Sequence, residues 1–147
     1  MRSKHQSICA AELESLAAFR DLIDAACTQH PEIDAQVCYD LKLAVDEACT
    51  NIVTHGYRGM NPGSIILRLE FDPQRVLVTL TDFGHPFEPY EPSAPDLEAG
   101  LQDEPVGGFG LFLIYQTMDE VKYKTAEDGN HLTFIKRLDA APARGSR

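Results

Sequence analysis

The sequence has no tryptophan, no CxxC pair and no apolar run approaching the ~20 residues that a bilayer-spanning helix requires. Positive charge is also scarce: 13 Lys and Arg stand against 23 Asp and Glu, for a formal net charge of −10. That balance argues against direct binding to DNA or RNA, whose phosphates select Lys- and Arg-rich surfaces. It does not exclude a nucleotide, because a helix N-terminus or a bound metal offsets phosphate charge locally. The opening Met1-Arg2-Ser3-Lys4-His5 is basic but lacks the apolar stretch of a secretion signal. The expectation is a cytoplasmic protein with no membrane segment and no direct nucleic-acid contact. Cys9, Cys27, Cys38 and Cys49 have no histidine at zinc-site spacing. Three of them fall inside helical patterns, and reduced, structural thiols are expected.

What is present suits one ordinary globular domain: 147 residues, 44% hydrophobic and 24% charged. Residues 11–28 carry Leu13, Leu16, Phe19, Leu22 and Ile23 near the helical period. Beyond Pro31, Asp34 is placed to cap a second helix with the stripe Val37, Leu41, Ala44, Val45, Ala48 and Ile52, running as far as Tyr57. Strand-like runs at 64–71 and 76–82 flank Asp72-Pro73-Gln74-Arg75, a hairpin signature. The segment 83–106 holds five prolines and no Lys or Arg, and a connection of that length is usually functional or disordered. A short helix at 110–118 leads to strands at 120–125 and 131–138, joined by the turn Glu127-Asp128-Gly129-Asn130. The predicted order is helix, helix, strand pair, loop, helix, strand pair. It implies an α+β two-layer sandwich, helices on a mainly antiparallel sheet. One domain over 7–138 and a disordered tail over 139–147 are expected.

Three groups of residues suggest chemistry. Glu47 and Asn51, four apart, share one face of the second helix at the flank of its apolar stripe. An amide oxygen suits a hard cation such as Mg²⁺, and a carboxylate can orient or deprotonate a nucleophile. Asp82 is in phase with Val76, Val78 and Leu80, so it points inward where its strand stops. An inward carboxylate needs a donor, and the amino group of adenine is one; Gly84 beside it permits close backbone approach. Gly107, Gly108, Phe109, Gly110 and Leu111 open an apolar helix, leaving backbone N–H groups clear at its positive end, where phosphates bind. No G-K-[ST] follows, so this is not a Walker loop, and no preceding strand makes it a dinucleotide fingerprint. Asp82-Phe83-Gly84 lacks the other motifs of a eukaryotic-type kinase.

Taken together and in order, Glu47-x-x-x-Asn51, Asp82-x-Gly84 and Gly108-x-Gly110 resemble the N box and two glycine boxes of the ATP-binding fold shared by histidine kinases, gyrase and mismatch-repair ATPases. Leu43-Ala44-Val45-Asp46-Glu47-Ala48-Cys49-Thr50-Asn51-Ile52 and the stretch from Gly107 to Val121 are similar to the anti-sigma-factor serine/threonine kinases of that superfamily. The resemblance implies ATP with Mg²⁺ held through Asn51, and Glu47 as the catalytic base or orienter. It further implies Asp82 on adenine, Gly84 opening the pocket, the glycines and their neighbours on the phosphates, and 86–106 as a lid. It implies as partners an anti-anti-sigma protein, phosphorylated on serine or threonine, and a sigma factor competing for the same kinase. Homodimerisation stays open, as does an alternative in which the chain is an ATP-binding module that captures partners with little phosphotransfer. The lid has no cation, so help at the γ-phosphate would come from elsewhere, from Arg58 or a dimer mate; His55 lies one turn beyond Asn51, toward the phosphates, and His85 is a weaker candidate.

Overall fold

A computed structural model describes residues 2–86 and 108–138. The expected lid from residue 87 onward, Gly107, and the tail over 139–147 lie outside the described residues. The chain runs β1 (Ser3–Ala10), α1 (Ser15–Thr28), α2 (Ala35–Asn51), a π-helical turn (Ile52–Gly56), β2 (Ser64–Phe71), β3 (Arg75–Asp82), α3 (Gly108–Thr117), β4 (Glu120–Ala126) and β5 (Gly129–Arg137). The five strands form one sheet in the order β1-β2-β3-β5-β4, antiparallel at every step. This is the predicted α+β sandwich.

Alternation along the strands sends one set of side chains to the helices. Ile65, Leu67, Leu69 and Phe71 of β2, Val76, Val78 and Leu80 of β3, and Leu132 and Phe134 of β5 are buried there. They meet Phe19 and Ile23 of α1, Leu41, Val45 and Ala48 of α2, and Ile114 of α3 in one core. Full burial of a side chain such as Phe19 or Leu67 contributes about 1.5–3 kcal/mol. That core fixes α2 across the sheet with α3 packed beside it.

Four features depart from expectation. Strand β1 replaces irregular chain ahead of the first helix, and α1 starts at Ser15 rather than residue 11. The side chains of β1 that turn inward are Ser3, His5, Ser7 and Cys9, so no alternation of apolar residues advertises the strand. Helix α2 begins as expected, with the Asp34 carboxylate accepting from the Gln36 N–H at 2.8 Å. It stops at Asn51, and the next five residues widen into the π turn instead of carrying the α-helix to Tyr57. Thr50 and Thr54 each donate a hydroxyl to the carbonyl four residues back, an interaction that competes with the regular ladder. Cys27 and Cys38, expected as thiols, are joined in a disulfide, because the end of α1 and the start of α2 bring their Cα atoms to 6.5 Å. Cys9 and Cys49 are free. Among the described residues no helix is long and apolar enough to cross a membrane.

Candidate functional site

Asp82 is the last residue of β3, and its side chain lies under the C-terminal end of α2 with 4% exposure. The inward phase read from Val78 and Leu80 is therefore the observed one. Its Oδ1 accepts from the Gly84 N–H at 2.9 Å and from Asn130 Nδ2 at 3.0 Å. No donor among the described residues meets Oδ2. A buried carboxylate with one oxygen satisfied and the other unspent is a ready acceptor for a ligand N–H.

The turn after Asp82 is fastened to the π turn that follows α2 and to the residues just beyond it. A side chain at Gly84 would put its Cβ 2.2 Å from the Gly56 carbonyl oxygen and 2.6 Å from its carbon, so only glycine allows this approach. The His85 N–H donates to that same Gly56 oxygen at 2.6 Å, and His85 Nε2 bonds the Arg58 carbonyl at 2.9 Å. Tyr57 completes the fastening: its hydroxyl donates to the Ser64 carbonyl and accepts from the Phe83 N–H, both at 2.9 Å. Burial pushes the Tyr57 hydroxyl up, and the nearby Asp82 charge adds to this against the Phe83 bond, so the donor proton stays in place. His85 thus holds the turn.

Glu47 and Asn51 lie one turn apart on α2, both partly buried. Neither side chain spends itself on a hydrogen bond or ion pair within the described residues. The Glu47 carboxyl is held above the usual glutamate range, first by burial and then by the charge of Asp46 beside it. Asp46 is in turn gripped by Arg20, whose Nη1 reaches both carboxylate oxygens at 3.1 Å. Arg58 bonds the His55 ring through its guanidinium, and among the described residues His55 Nε2 is buried with no partner. Helix α3 begins at Gly108 and packs along α2.

The fold thus gathers Asp82, Gly84 and the end of α2 at one place. Three contributors were not legible as site residues in the sequence: Gly56, Tyr57 and Asn130. Asn130 appeared only as a turn residue, and it is the β3–β5 register, pairing Asp82 with Asn130, that makes it a neighbour. A donor set of Asn51 amide oxygen and ligand phosphates fits a hard cation; among the described residues no cluster of His, Cys, Asp or Glu forms a metal site on its own.

Residues 9–136 match the model of the histidine kinase-like ATPase domain. The chain is 33% identical over 99 residues to serine/threonine-protein kinase BtrW of Bordetella bronchiseptica, covering 67% of this chain and 70% of that one. It is 33% identical over 118 residues to serine-protein kinase RsbW of Bacillus subtilis, covering 68% and 73%. To RsbW of Staphylococcus epidermidis it is 36% identical over 114 residues, covering 73% and 70%. The chain therefore belongs to the histidine kinase-like ATPase family, in the branch of its serine/threonine-protein kinases.

Proposed function

We propose that this protein phosphorylates a serine or threonine of an anti-anti-sigma partner with ATP·Mg²⁺, and sequesters a sigma factor when that partner is absent or already phosphorylated. A cytoplasmic setting goes with this role. The single observation that carries the nucleotide part is Asp82: a buried carboxylate with Oδ1 satisfied by two N–H groups and Oδ2 left for a ligand donor. The sigma connection rests on the likeness to the RsbW and BtrW kinases.

In this scheme adenine donates its amino group to Asp82 Oδ2, and Gly84 leaves room for the ring. Asn51 offers its amide oxygen to the cation, which when bound neutralises phosphate charge. The backbone N–H groups at Gly107, Gly108, Phe109, Gly110 and Leu111 hold the phosphates. The partner hydroxyl attacks the γ-phosphorus in line, the bond to the β–γ bridging oxygen breaks, and ADP leaves. Glu47 orients the hydroxyl and accepts its proton. Its raised proton affinity makes it a stronger base than an ordinary glutamate. Positioning and charge neutralisation supply most of the rate.

The test is incubation with γ-labelled ATP, Mg²⁺ and a small anti-anti-sigma protein. Label on a partner serine or threonine that vanishes with Glu47→Ala supports the kinase. Tight ATP binding with an unlabelled but captured partner would replace it with a regulatory module. A wild-type chain that binds neither ATP nor ADP rejects both.

A further inference from the structure

Asn130 stands opposite Asp82 in the register of β3 and β5, and both side chains face the helix layer. Asn130 is 3% exposed, and its amide is fully used. Nδ2 donates to Asp82 Oδ1 at 3.0 Å and to the Gly84 carbonyl at 2.9 Å, while its oxygen accepts from Thr125 Oγ1 at 3.2 Å. Turning the amide over would set its oxygen against a carboxylate and a carbonyl, two acceptors, so its partners admit one orientation. Together with the Gly84 N–H, Asn130 occupies Oδ1 and pins the backbone of the turn that follows.

We infer that Asn130 is a positioning residue that sets base specificity: it holds the Asp82 carboxylate so that Oδ2 alone faces the ligand and selects a 6-amino purine over a 6-oxo purine. The inference rests on the proposed assignment of Asp82 to adenine. An amino group at purine position 6 donates to Oδ2. An oxo group there sets acceptor against acceptor and leaves the carboxylate oxygen unpaired in a buried site, the arrangement that discriminates most strongly. Without Asn130, Oδ1 loses one of its two donors and the carboxylate is free to turn or to recruit water. The selection weakens, whereas interactions with the phosphates are unaffected.

The experiment titrates the full chain with ATP and with inosine triphosphate in the presence of Mg²⁺. The wild type favours ATP. Asn130→Ala lowers that preference about tenfold, chiefly by weakening ATP, and Asn130→Ser, which keeps one hydroxyl donor, falls between. In an Asp82→Asn background Asn130→Ala changes the preference no further, because the residue acts through the carboxylate. Equal weakening of both nucleotides by Asn130→Ala, or an undiminished effect in the Asp82→Asn background, overturns the inference and leaves Asn130 a structural residue. If the alanine variant does not fold, the serine variant is judged by the same ratio, and an unchanged ratio overturns the inference. A wild type that binds neither nucleotide sinks the adenine assignment itself, a result distinct from a ratio that fails to move.

Discussion

Glu47 and Asp82 are both partly or wholly withdrawn from water, yet they are equipped for different work. Asp82 is locked by two N–H donors, whereas Glu47 has a like charge beside it and no hydrogen bond among the described residues. Asp82→Asn is therefore expected to weaken ATP by about tenfold to a hundredfold, the worth of a hydrogen bond to a charged group. Glu47→Ala is expected to leave ATP affinity nearly intact while slowing phosphotransfer by about 10²–10⁴-fold. Calorimetric titration and a single-turnover transfer assay separate the two, and equal losses of affinity would remove the division of roles. The pH dependence follows from Glu47. A base must be deprotonated, so transfer falls on the acid side as Glu47 takes up a proton. Its raised proton affinity places that fall above the ordinary glutamate range. Asp46→Asn removes the neighbouring negative charge, which favours the glutamate anion. The acid limb of kcat/KM should move to lower pH; a limb that stays put would show that Glu47 is not the titrating group.

At the scale of the element, the turn from Asp82 to His85 and the π turn after α2 form one unit. Gly84→Ala drives a Cβ into the Gly56 carbonyl, which is backbone and cannot swing aside. A cost of about 1–3 kcal/mol is expected, with weakened ATP binding because Asp82 Oδ1 receives the Gly84 N–H. Urea unfolding with and without nucleotide measures both effects, and a silent Gly84→Ala would mean that the turn lifts away from α2. Asp34→Ala tests an element far from the site. Losing its bond to the Gln36 N–H should cost about 1 kcal/mol and leave ATP affinity unchanged. Helix α2 also illustrates how a strong apolar stripe reports that a helix exists but not where its geometry changes. The stripe continues through Ile52, and the π turn that follows is set by the contacts of Gly56, Tyr57 and the Thr50 and Thr54 hydroxyls.

Across the whole molecule, β1 covers the full length of β2, with eight residues paired from Ser3↔Phe71 to Ala10↔Ser64. Removing residues 1–10 bares an edge of unpaired N–H and C=O groups next to a buried apolar strand. Loss of cooperative thermal unfolding and association at micromolar concentration are expected, checked by circular dichroism and light scattering. An unaltered melting curve would make β1 an ornament of the fold.

The apolar alternation of β2 and β3, the Asp34 cap and the inward phase of Asp82 were all readable, because local periodicity and a single polar break encode them. Strand β1 was not, since its inward residues Ser3, His5, Ser7 and Cys9 carry no hydrophobic pattern and its place depends on pairing with residues some sixty positions away. The Cys27–Cys38 link likewise depends on how α1 and α2 return past each other. The α+β class, the family and the candidates Glu47, Asn51, Asp82 and Gly84 follow from the order of the residues. That Asn130 and Gly56 close around Asp82 emerges with the folded chain alone, because sheet register and helix-end packing are long-range consequences of burying one common core.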